Sequence, residues 1–110
     1  MTVEFAIAYI PLRMKELGYG KNYLMQAKHL ILRPNEVREI NAASQFWYLV
    51  DMSEEIIIES EFGMFDITDD TIDEIQYEHQ GIITITNTSS ELTSVRFIQI
   101  IPKNKVEQCQ

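Results

Sequence analysis

Residues 45–65, QFWYLVDMSEEIIIESEFGMF, decide the fold. They hold the single tryptophan, three of the five phenylalanines and the densest aliphatic run, Ile56-Ile57-Ile58. β-Branched and aromatic residues crowd both sides of the polar group Asp51-Met52-Ser53-Glu54. Such residues suit a pleated, half-buried surface, so the stretch predicts two β-strands joined by a short turn.

Working outward, the same short-strand rhythm continues. Residues 2–10 alternate Val3, Phe5, Ile7 and Tyr9 against Glu4, Ala6 and Ala8, the period of a strand or an extended arm. Pro11 ends that pattern; residues 11–17 fit one or two helical turns, with Gly18 as the stop and Gly18-Tyr19-Gly20 as a joint. Residues 22–33 are strand-like, with Tyr23, Met25 and Ala27 on one face, Leu30 and Leu32 in shifted phase, and a bulge expected near Lys28-His29. Pro34-Asn35 makes a turn, and 36–41 a short strand. Downstream, Thr71 and Glu74 have capping-box spacing, which predicts a short helical turn. Residues 81–87 and 94–101 are the last strands, the second ended by Pro102. Seven or eight short strands with frequent turns predict an all-β fold, an antiparallel β-sandwich or jelly roll with one or two short helical turns. The expected organisation is an N-terminal arm and helical turn over 1–20, the sandwich over 21–102 and a flexible tail over 103–110. The arm packs on its own domain or reaches a neighbour.

Composition narrows the function. At 110 residues and 45% hydrophobic content the chain fits one domain with a real core. No apolar run is long enough to span a bilayer, and Glu4 and Pro11 disfavour a cleaved leader. The single cysteine, Cys109, cannot form an internal disulfide, which predicts folding in a reducing compartment. The net charge of −8 disfavours a nucleic-acid grip. The charge is also segregated: no Lys or Arg lies between Glu39 and Val95, whereas 13 acidic residues do. This is either a solvated acidic face or a surface complementary to the basic ends of a neighbouring copy or another protein.

The chain carries no recognisable catalytic signature. There is no G-x-S-x-G and no phosphate-binding glycine loop. His79 has Glu78 beside it, but adjacent strand residues point to opposite faces, so Glu78 is poorly placed to orient it. A structural or surface role is expected for His79 and for His29. Asp66, Thr68, Asp69, Asp70, Asp73 and Glu74 are oxygen-rich, yet they lack the glycine and terminal glutamate of an EF-hand loop. No metal and no cofactor is expected. Cys109 has no histidine near it, and the sequon at Asn87-Thr88-Ser89 is read as incidental. Phe46, Trp47 and Tyr48 are consecutive, so on one strand at least one faces away from the core, and an exposed Trp47 or Tyr48 would suit a sugar or a protein chain.

Two resemblances follow from these residues. Leu32-Arg33-Pro34-Asn35-Glu36 is similar to the strand–turn–strand of cupins, without their metal motif; this implies a small-molecule or carbohydrate-binding module as the alternative. The second resemblance spans more of the chain. It comprises Leu32 to Glu36, Trp47-Tyr48-Leu49-Val50, Ile58-Glu59-Ser60 with Gly63, then 78–87 (EHQGIITITN) and Val95-Arg96-Phe97-Ile98-Gln99. Together these resemble the small all-β virion proteins of tailed bacteriophages. That implies a non-enzymatic decoration or auxiliary capsid subunit, commonly trimeric, made in the host cytoplasm. Its partners would be copies of itself and a major capsid or other virion protein. Phe5, Ile7, Tyr9, Trp47 and Tyr48 are the expected partner contacts.

Overall fold

A computed structural model describes residues 3–68 and 78–104. Its elements are α1 (Val3–Glu16), β1 (Tyr23–Leu32), β2 (Val37–Met52), β3 (Ile56–Ser60), β4 (Gly63–Ile67), β5 (Glu78–Asn87) and β6 (Thr93–Pro102). All pairings are antiparallel and the strand order is β1-β6-β2-β5-β3-β4. The β-rich reading holds, but the strands form one open sheet where two separate ones were expected. The helical turn expected near Thr71 lies outside the described residues, as do Cys109 and most of the acidic 66–74 run. Among the described residues, no helix is long and apolar enough to cross a membrane.

β2 explains how one sheet buries so much. It merges the short strand expected over 36–41 with the first half of the central pair. Straight, its 16 residues would reach about 50 Å. Both its ends nevertheless return to the end of β1. Val37 follows Leu32 after a short turn, while Met52 pairs with Val95, two residues from Leu32's own partner Thr93. The strand must therefore turn back on itself. The corner lies after Ala42, where pairing with Gly81 of β5 is interrupted; it resumes at Trp47 opposite His79, and pairing with β6 begins at Phe46. An insertion of this kind bends and twists a strand. Ser44 takes φ 58° there and Gly81, across the ladder, φ 83°. Gln99 of β6 braces the corner, its Nε2 donating to Asn41 O at 3.2 Å and to Gln45 Oε1. Asn87 ties the opposite end: its Nδ2 reaches the carbonyls of Leu32, Arg33 and Glu91. Its burial and those bonds agree with reading the sequon as incidental.

The folded-over sheet has an apolar inner face drawn from all six strands, including Leu32, Trp47, Leu49, Ile56, Ile58, Ile67, Ile83, Ile85 and Phe97. The outer face carries Phe46, Tyr48, Val50, Ile98 and Ile100, and α1 covers it with Ala6, Ile10 and Met14. These helical positions are four apart, which overturns the strand expected over 2–10: the buried set follows the helical period and the alternating set is largely exposed. The helix ends in a Schellman arrangement at Gly18 (φ 94°), with Tyr19 N bonding Met14 O at 2.9 Å and Gly18 N bonding Lys15 O at 3.0 Å. The stop at Gly18 was therefore legible, and the helix extends two turns further towards the N-terminus than expected.

Candidate interaction surface

The two polar clusters nearest to chemistry tie elements together. His79 is buried in a ring of Trp47, Phe65 and Phe62, with centroids 5.7, 5.1 and 6.4 Å away. Ser60 Oγ lies 2.7 Å from its Nδ1 and also accepts the Phe62 N–H at 3.2 Å. The pair links the β3–β4 turn to β5. Glu78 points to the opposite face, as period two requires. Its Oε1 accepts the Tyr48 hydroxyl at 2.7 Å and Arg13 Nε at 2.9 Å, and Oε2 accepts Arg13 Nη2 at 3.2 Å. Burial alone would push the Glu78 carboxyl up, but the hydrogen bonds from Arg13 and Tyr48 outweigh it and hold the group below the usual carboxylate range. Burial, with the carboxylate beside it, pushes the Tyr48 phenol up. The Glu78 bond likewise raises Arg13.

The residues expected as partner contacts separate sharply. Trp47 and Tyr48 are both 0% exposed and are removed from any surface role. Trp47 fills the inner core against Phe97, and Tyr48 lies under α1. Consecutive aromatics did require one on each face; the second face is buried by the helix, whose first residues had the alternation of a strand or an extended arm. Tyr9 is half-buried between Phe5, stacked at 5.5 Å, and Tyr48, edge-on at 6.3 Å. Phe5 and Ile7 are exposed on α1 (50 and 61%), alongside Val3 and Leu12.

β1 was not singled out by the sequence reading. Among the described residues it ends the sheet and pairs with β6 alone, and seven of its 10 residues are exposed. Its Leu24, Met25 and Ile31 are 47, 42 and 59% exposed. A signal existed in the sequence: apolar residues on both faces with a phase change, read there as a bulge, also fit a strand lacking a buried face along most of its length. The register with β6 is continuous, so there is no bulge at Lys28-His29. Between α1 and β1 lies a groove of about 270 Å³, lined in part by Val3, Ala27, His29, Val50 and Ile98.

The fold also converts the charge segregation into a spatial one. Residues 17–35, which include β1, contain Lys21, Lys28 and Arg33 and no acidic residue. Residues 56–66, which build β3, the turn after it and much of β4, contain Glu59, Glu61 and Asp66 and no Lys or Arg. These segments occupy opposite ends of the sheet. Comparison with known proteins gives no matching family model, curated protein or solved structure.

Proposed function

We propose that the protein is a non-enzymatic structural subunit that acts through protein–protein contacts, as a decoration or auxiliary component of a phage virion. The observation that carries the assembly reading is β1, a long sheet-end strand with exposed aliphatic side chains beside an exposed apolar helix face. Edge strands offer unpaired backbone donors and acceptors, and natural proteins usually shorten, twist or cover them. The virion assignment and a trimer follow from the resemblance. A small-molecule-binding module is the second reading, and the groove between α1 and β1 favours it.

The test is solution mass by light scattering across a range of concentrations. A rise to a defined multiple of the 12.9 kDa chain is expected, with three copies favoured. A monomer at every concentration contradicts self-assembly and directs attention to ligand binding in the groove.

A further inference from the structure

We infer that copies of this chain associate head to tail, the basic β1 end of one sheet meeting the acidic β3–β4 end of the next. The inference rests on the assembly reading and names its partner: a second copy, presenting a different surface.

Three observations lead there. First, β1 and β4 are the two terminal strands of the same open sheet, so each pairs with a single neighbour in the described ladder. Second, their charges are opposite. β1 carries Lys28, with Lys21 before it and Arg33 after it. β4 carries exposed Asp66, next to Glu59 on β3 and Glu61 in the turn. Joining β1 to a second β1 would set like charges together, and joining β4 to β4 would do the same; joining β1 to β4 sets opposite charges together. Third, both ends expose apolar side chains, Leu24, Met25 and Ile31 at one and Phe62 and Met64 at the other. Cross-strand partners share a face. Met64 and Glu59 are such partners, and Ile57 and Asp66 are another pair, so Glu59, Met64 and Asp66 all lie on the outer face. His29 and Ile31, two and four residues along from Ala27, the partner of outward-facing Ile98, lie on the outer face at the β1 end. Lys28 is the partner of inward-facing Phe97, so at a β1–β4 junction it lies on the other face from Glu59 and Asp66, and the attraction acts between the two ends as a whole.

Such an interface is heterologous: two different patches meet, so repeated use closes a ring or extends a filament and does not stop at a two-fold dimer. A three-copy ring is one closed form that such a contact can take.

Charge reversal separates the possibilities, because every residue changed is exposed. One variant carries Lys28→Glu with Arg33→Glu, a second carries Glu59→Lys with Asp66→Lys, and a third carries all four. Mass by light scattering at low salt is read for each, with circular dichroism to confirm folding. Each double variant is expected to lose association by about tenfold or more, and the quadruple variant, whose ends are again opposite in sign, to recover it. Association that survives both double variants, or a quadruple variant that folds but stays dissociated, overturns the head-to-tail inference and leaves the assembly reading standing. Recovery on mixing wild type with only the first double variant, and not in the quadruple variant, points to β1 meeting β1 and also overturns it. A wild type that never associates overturns the assembly reading itself.

Discussion

Glu78 is the residue through which the helix grips the sheet. Arg13 comes from α1 and Tyr48 from β2, and both bond the same carboxylate. The side chains of the ion pair are 28 and 15% exposed, so water screens the pair only in part. The folded-state pKa of Glu78 is depressed, so its stabilisation is fully present above the unfolded value near ~4.3 and is lost as pH falls through the folded value. Glu78→Gln is therefore expected to destabilise the protein by about 1–2 kcal/mol at neutral pH. In urea titrations the gap between variant and wild type should narrow steadily below about pH 4; a gap constant with pH would show that the carboxylate charge contributes nothing. Part of this site was legible: period two placed Glu78 and His79 on opposite faces. Arg13 was not, because it is 65 residues away in sequence and reaches Glu78 only because residues 3–16 are helical.

At the scale of elements, the corner in β2 and the helix α1 decide the architecture. Ser44 holds φ 58° at the corner, a conformation that β-branched residues adopt only under strain. Ser44→Val is expected to cost about 1–2 kcal/mol, and Ser44→Gly to stay within about 0.5 kcal/mol of wild type, both by chemical denaturation. Equal stability of the Val variant would mean that the corner does not depend on that backbone geometry. Ala42-Ala43-Ser44 read as a linker between strands, which located the corner, but nothing local shows that one strand, β2, runs on both sides of it. The alternating pattern of Val3, Phe5, Ile7 and Tyr9 misled for a related reason. It is a valid strand pattern, and only the tertiary demand of Phe46, Tyr48, Val50, Ile98 and Ile100 for cover selects the helical face Ala6, Ile10 and Met14. Deleting this segment would strip a core cluster rather than a detachable arm.

For the whole molecule, the sequence showed segregated charge and abundant short strands, and the antiparallel β-rich architecture agrees. Chain order alone could not show that residues 23–32 and 56–66 occupy opposite ends of one sheet, since that depends on β6 inserting between β1 and β2 and on β5 inserting between β2 and β3. The claim at the centre is that β1 is a contact strand. Amide hydrogen exchange resolved along residues 23–32 measures it directly, comparing dilute protein with protein at a concentration where light scattering reports the oligomer. The β1 amides that point away from β6 should exchange freely in the dilute sample and become protected on association. If those amides exchange at the same rate in both samples while the oligomer is present, β1 is not the contact, and the account built on its open edge is wrong.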